Sequence, residues 1–358
     1  LYNKKRENML EKIKQIYLCM GSACNANCKY CSQHKTNFEL QESNISDKLR
    51  SYLEDITKYR DNTDNKLNII FWGGEPLLYM DTIKEVISIL KDSVNYGLVS
   101  NGLLISEDIV EFLNSNNISY TLSNDGPNTI HTRGFNVLDN PEKVELFKKI
   151  DHFAIELVLT AYSYNLNEIE KYYNVLFGYA PNLEVDTLYC FNNTSSDLYT
   201  FTNEQYNVFS SVCKDVFDRV YNELINNNTL GHNYYIMKKW IDNIINKEQN
   251  NIEPLCDVLH KRLDIDMQGN ILTCHNYNVV IGTTDDFLSD INCKQDKIIH
   301  YVDEECRKCS YNSICLHCPH PDYSIEGNKA ICILRRIIMS RCVEFVKRFD
   351  SLYEKVEL

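Results

Sequence analysis

The sequence predicts an α/β fold, a partial (β/α)6 barrel followed by a C-terminal cysteine-rich domain. Three observations carry this. Between Lys14 and Asn192 short apolar runs alternate with helix-like segments about six times, the rhythm of parallel strands joined by crossover helices. The unusual residues follow the runs: a cysteine loop after the first, Gly73-Gly74-Glu75-Pro76 after the second, Ser100-Asn101-Gly102 after the third and Ser123-Asn124-Asp125-Gly126 after the fourth. In such barrels the site collects at the C-terminal ends of the strands. Finally, nine of the 15 cysteines lie from Cys256 onward, in a region broken by turns.

Taken in order, the first strand is Ile16–Met20 and Asp47–Tyr59 reads as a helix. Leu67–Trp72 is the second strand, cut off by the two glycines. Asp81 is placed to cap the next helix, whose Ile83, Val86, Ile87 and Leu90 share a face. Tyr96–Ser100 is the third strand, closed by an Asn-Gly turn. Ser106 caps a helix that starts with Glu107 and Asp108, where negative charge is favourable. Ile118–Ser123, Phe153–Thr160 and Leu183–Tyr189 complete the six, with a helix near Leu166–Phe177. Thr202–Gln205 has the form of a capping box opening a long helix. Its Phe209, Val212, Cys213, Val216 and Val220 share a face, so Cys213 reads as core. A second helix is expected over Tyr234–Ile245 and a last one over about Ile331–Tyr353. The linker Lys247–Asn251 sets the expected boundary between a domain of residues 1–247 and one of 248–358.

Composition narrows the classes. A net charge of −13 argues against a nucleic-acid groove as the main surface. No apolar run approaches a membrane span, and the polar start, Leu1–Lys14, is not a secretory signal. Cysteines clustered at short spacings in so long a chain read as metal binding in a reducing cytoplasm.

The stretch Cys24-Asn25-Ala26-Asn27-Cys28-Lys29-Tyr30-Cys31 places three thiols at spacings of four and three residues. Taken alone it allows a zinc knuckle, a disulfide or an iron–sulfur cluster. Three thiolates hold three irons of a [4Fe–4S] cube and leave the fourth open to a small molecule. This CxxxCxxC run, with Tyr30 before its last cysteine, resembles the signature of the radical S-adenosylmethionine (radical SAM) enzymes. The resemblance implies a radical SAM barrel that binds S-adenosyl-L-methionine (SAM) at that cluster. It also implies that Gly73, Gly74 and Glu75, at the barrel rim, contact the amino group of the methionyl moiety, although the tetrapeptide alone reads as a plain turn. Ser123, Asn101 and Tyr30, the residue before the last motif cysteine, are further expected cofactor contacts. Arg133 is placed to pair with the methionyl carboxylate, a surface ion pair being the alternative. The usual fourth-strand form carries an apolar residue where this chain has Asn124, and Asp125 is read as ordering its own turn.

The later cysteines run Cys256-x12-Gly269-x4-Cys274, then Cys306-x2-Cys309-x5-Cys315-x2-Cys318, then Cys332. This order resembles the SPASM extension of radical SAM peptide-modifying enzymes, whose last central pair usually encloses three residues rather than Leu316 and His317. The resemblance implies two auxiliary [4Fe–4S] clusters, three in all. One uses Cys306, Cys309, Cys315 and Cys332. The other uses Cys256, Cys274 and Cys318, with a fourth position filled by Cys293, by His260, or open to substrate. The first and last of these are preferred, because a lone histidine is more often structural. Cys19 is read as buried in the first strand, and Cys342, on the last helix, as spare.

The resemblance spans about Ile13 to Val343. It implies an oxidoreductase that reductively cleaves SAM to a 5′-deoxyadenosyl radical and abstracts a hydrogen atom from a peptide or protein side chain. The leading expectation is a peptide maturase that forms thioether or carbon–carbon crosslinks, oxidises or epimerises. The alternative is an anaerobic sulfatase-maturing enzyme, which makes formylglycine. Those enzymes carry Asp after the cysteine equivalent to Cys274, whereas this chain has His275, the candidate base. An electron donor such as flavodoxin or ferredoxin is an expected partner. Only about 15 residues precede the first strand, so leader recognition would fall to a separate protein. A non-catalytic iron–sulfur electron carrier is the reading from another class.

Overall fold

In a computed structural model the chain is described over residues 12–31, 44–60, 66–178, 182–186, 196–226, 241, 244, 261–274, 279–286, 304–311, 315 and 329–353. The expected helix at Tyr234–Ile245 and linker at Lys247–Asn251 lie almost wholly outside these residues. The chain groups into two compact units, each made of separate segments. Unit 1 takes residues 1–123, 133–154 and 257–300, and unit 2 the remainder.

Unit 1 holds the first four strands of the alternation: β1 (Gln15–Cys19), β2 (Leu67–Trp72), β3 (Val94–Ser100) and β4 (Ile118–Ser123). Neighbours pair in parallel in the order β4-β3-β2-β1. Alternate side chains of β2 (Leu67, Ile69, Phe71) and β4 (Ile118, Tyr120, Leu122) are buried, the period of a strand with one covered face. Helices α1 (Asp47–Arg60), α2 (Met80–Leu90) and α3 (Glu107–Ser115) supply that cover. Ile83, Val86 and Leu90 of α2 are fully buried, at about 1.5–3 kcal/mol each in transfer terms. Ser106 caps α3 as expected, its Oγ accepting from the Ile109 N–H.

Asp81 does not cap α2. The chain enters that helix through a 3₁₀ turn, Pro76–Tyr79, whose cap is Glu75, and Asp81 falls in the first helical turn.

Residues well beyond the alternation extend this sheet. The strand β7 (Arg262–Asp266) pairs in parallel with β1, and β8 (Asn270–Leu272) and β9 (Val280–Thr283) follow as an antiparallel ribbon. Arg262 lies over the Tyr17 ring at 4.6 Å and forks onto the buried Asp264 at 2.8 and 3.0 Å.

Unit 2 continues the alternation with most of β5 (Phe153–Val158), α6 (Leu166–Phe177) and β6 (Asn182–Asp186). Of the short helices, α5 (Pro141–Lys148) falls in unit 1, and most of α4 (Thr129–Arg133) and all of α7 (Ser196–Tyr199) fall in unit 2. Its long helix α8 (Asn203–Ile225) opens on the expected capping box, with Gln205 and Thr202 exchanging bonds of 2.7 and 3.1 Å. It packs on the last helix, here α10 (Lys329–Tyr353), which follows the single turn α9 (Glu304–Arg307). Cys213 and Cys342 are buried in this packing.

Candidate active site and cysteine centres

Unit 1 gathers four strand ends at one edge. The cysteine loop leaves β1, and three backbone links seat it on the turn after β2. The Gly74 N–H donates to the Gly21 carbonyl (2.8 Å), the Glu75 N–H to the Ala23 carbonyl (2.9 Å), and the Met20 N–H to the Trp72 carbonyl (2.7 Å). A Cβ on Gly74 would stand 2.2 Å from the Ala23 carbonyl oxygen, and one on Gly73, at φ 145°, 2.7 Å from that of Gly21. The two glycines therefore admit the protein's own cysteine loop. Tyr79, at the end of the 3₁₀ turn, reaches back so that its hydroxyl accepts from the Ala23 N–H at 2.9 Å.

Glu75 differs from its expected setting. Its side chain is fully buried, where the sequence places a carboxylate at the rim. One oxygen accepts from the Leu77 N–H (3.0 Å) and the Ser100 hydroxyl (2.9 Å), and the other from the Asn101 N–H (2.8 Å). Burial raises its pKa, and these three donors oppose the rise. Glu75 thus locks the end of β2 to the end of β3.

Asn101 passes this link to the cysteines. Its Nδ2 donates to Asn25 Oδ1 at 2.8 Å and lies 3.8 Å from Cys24 Sγ, within reach of a hydrogen bond to sulfur. Its Oδ1 accepts from the Leu103 N–H at 2.9 Å. Cys24, Cys28 and Cys31 are half-buried, unlike the core thiols Cys19, Cys213 and Cys342. Burial raises the Cys24 pKa, as do the charges of Glu75 and Cys31, so Cys24 and Cys31 are electrostatic neighbours. Tyr30 is buried, with the Arg133 guanidinium 5.2 Å from its ring centroid. Arg133 is itself buried, so the surface-ion-pair alternative does not hold. Ser123 ends β4, half-buried.

Asn124 and Asp125 form a buried network in unit 2. Asn124 Oδ1 accepts from the Tyr173 hydroxyl (2.9 Å), the Thr129 hydroxyl (3.1 Å) and the Gly126 N–H (3.0 Å). Asp125 accepts from the Thr132 hydroxyl (2.5 Å) and the Val158 N–H (2.9 Å). The side chain that closes this turn is that of Asn124, through the Gly126 N–H, whereas Asp125, read from sequence as ordering its own turn, ties the segment to Thr132 and Val158.

The second cysteine centre is in unit 2. Cys306, Cys309, Cys315 and Cys332 are linked electrostatically, Cys315 to Cys309 and Cys332, and Cys306, Cys309 and Cys332 to the shared neighbour Arg336. Cys274 follows β8 in unit 1. Cys256, His260, His275, Cys293 and Cys318 lie outside the described residues.

Among the described residues no three His, Cys, Asp or Glu side chains close to single-ion distances. Thiolates on one zinc stand ~3.8 Å apart, given Zn–S of about 2.3 Å, whereas thiolates on separate irons of a cube stand farther. Both donor sets, half-buried thiols beside N–H donors, have the chemistry an iron–sulfur cluster needs.

A parallel α/β barrel with its cysteine loop and polar turns gathered at the strand ends has the layout of an α/β-barrel enzyme site. Residues 18–174 match the radical SAM superfamily. The chain carries a radical SAM domain followed by a SPASM-like cysteine-rich region. It is 25% identical, over 98% of its length and 79% of the relative's, to a protein named radical SAM cyclopropyl synthase TigE from Paramaledivibacter caminithermalis. It is 26% identical, over 82% of its length and 85% of the relative's, to a cysteine-type anaerobic sulfatase-maturating enzyme of Clostridium perfringens. Among solved structures, native anSMEcpe with bound AdoMet and Cp18Cys peptide superposes with a TM-score of 0.66 at 20% identity, covering 94% of this chain and 99% of that one. Among the described residues no helix is long and apolar enough to cross a membrane.

Sequence reasoning missed Asn25, Tyr79, Ser100, Arg335 and Arg336. The arginines stand three and four residues after Cys332 on a helix, a spacing that was there to be read. Tyr79 carried no such signal.

Proposed function

We propose that this enzyme cleaves SAM reductively and takes a hydrogen atom from a side chain of a peptide or protein. The observation that carries the proposal is the linkage from Glu75 through Asn101 to Cys24, which joins three strand ends around the cysteine loop. Cys24, Cys28 and Cys31 would hold the SAM-binding [4Fe–4S] cluster. When bound with SAM, that group supplies the electron that splits the sulfonium to methionine and a 5′-deoxyadenosyl radical.

The chain's own residues bind and orient. Gly73 and Gly74 offer backbone carbonyls to an ammonium, Arg133 a guanidinium to a carboxylate, and Ser123 a hydroxyl. Glu75 acts through the turn it holds. Its buried carboxylate already accepts three hydrogen bonds, so its part in SAM binding is to position Asn101 and Ser100. Cys306, Cys309, Cys315 and Cys332 would hold one auxiliary cluster. Cys256, Cys274 and Cys318 would hold another, with Cys293 a candidate fourth ligand.

For the finer chemistry the similarities favour side-chain oxidation of the sulfatase-maturing kind over crosslinking. The C. perfringens relative matches over most of both chains, and the anSMEcpe superposition covers nearly all of both. His275 would take the proton that Asp takes in those enzymes. Peptide maturation by bond formation is the second reading, favoured by the TigE similarity over 98% of the chain.

Anaerobic reconstitution with iron and sulfide, then SAM and dithionite, tests the core. 5′-Deoxyadenosine should form, and Cys24→Ala should abolish it. Equal output from the two proteins would refute the reading. Mass spectrometry of a sulfatase-type peptide bearing Cys or Ser then separates oxidation from bond formation.

A further inference from the structure

The four thiols in unit 2 sit in a different charge environment from those on the β1 loop. Cys332 lies on α10, and Arg335 and Arg336, three and four residues on, share its face. Arg336 Nη2 is 3.9 Å from Cys309 Sγ. Arg335 hydrogen-bonds Cys315. One helical turn therefore contributes a thiol and two cations to the same centre. The carboxylate facing it is Glu305, which is exposed.

We propose that Arg335 and Arg336 set the reduction potential of a four-thiolate iron–sulfur cluster held by Cys306, Cys309, Cys315 and Cys332, raising it. The inference rests on the proposed ligand role of those cysteines. An electron entering the cluster adds negative charge with no bond made or broken. Fixed positive charge at the sulfurs favours the reduced form, as do N–H donors to them. The two arginines are unequal. Arg335 is half-buried and Arg336 exposed, so solvent and salt screen Arg336 more and Arg335 carries the larger share.

The test uses the full chain with Cys24, Cys28, Cys31 and Cys274 all changed to Ala, so that this cluster alone remains after reconstitution. Iron content is counted first. A potentiometric titration with mediator dyes, read by electron paramagnetic resonance, gives the midpoint. Arg335→Gln should lower it by at least a tenfold change in the one-electron equilibrium constant, about 59 mV. Arg336→Gln should lower it less, by an amount that shrinks with added salt, and Arg335→Lys should retain most of the wild-type value. An unchanged midpoint in Arg335→Gln overturns the proposal. So does equal loss of iron from the Gln and Lys variants, which would make the pair structural. If the background protein binds no iron, the ligand assignment fails and the proposal with it. SAM cleavage by the wild-type chain, assayed separately, still reports on the β1 loop.

Discussion

The two cysteine centres use the same ligand in opposite surroundings. The β1 loop has neutral amide donors from Asn101 and the charge of a buried carboxylate, Glu75. The α10 centre has two guanidinium groups. Anionic surroundings disfavour taking an electron, and cationic ones favour it. On the proposed function, the donor of an electron to a sulfonium suits the first setting and an acceptor suits the second. The centres also differ in support. The β1 loop is tied to strand ends by backbone bonds, whereas the second centre is built on a short turn, α9, and one face of a helix.

Gly74→Ala is the severest way to separate them. The added methyl meets the Ala23 carbonyl, a backbone atom with no room to give, so the loop must shift. We expect 5′-deoxyadenosine formation to fall at least ~100-fold, the scale of a 1 Å misplacement at a reacting centre, with iron lost only from the β1 centre. Iron counts against the Cys24→Ala protein check this. If both centres empty together, the comparison breaks.

Glu75→Gln comes next. The amide keeps one acceptor and turns a donor toward a donor, leaving a buried group unpaired at about 1–3 kcal/mol. Thermal unfolding should show a fall in Tm, and the SAM cleavage rate should fall about tenfold. Loss of the carboxylate charge should also raise the midpoint of the β1 cluster, opposite in sign to the Arg335→Gln shift. Asn101→Ala should cost about 1 kcal/mol of stability and leave iron content intact while slowing SAM cleavage several-fold. Arg341→Gln is the mildest. Arg341 shares α10 with the arginine pair, but it bonds Asp218 and Glu344. About 0–1 kcal/mol of stability and no change in the midpoint are expected, because partly exposed ion pairs are worth little. A midpoint shift here would mean that total helix charge, rather than contact with the sulfurs, governs the cluster.

Much of the alternating region was legible because its signals are local. Periodicity found β1 to β6, Ser106 and Thr202 declared their caps, and the spacing in Cys24–Cys31 pointed to its chemistry. What stayed hidden depends on distant pairing. Arg262–Asp266 carries three charged residues in five, and it is its pairing with Gln15–Cys19 and Asn270–Leu272 that makes it a strand. The inward turn of Glu75 was invisible too, since a carboxylate after Gly-Gly reads as solvated until Ser100 and Asn101 arrive from another strand. Equally hidden was the close approach of Ala23 to Gly74, since nothing local to either residue announces the other.

The bonds from Gly74, Glu75 and Tyr79 that hold the cysteine loop have a consequence for assembly. They fix the entry to the loop at Gly21 and Ala23, so less ordering entropy remains to be spent there when iron arrives. On the proposed ligand role of its cysteines, the loop is expected to take up a cluster without refolding of the strand ends.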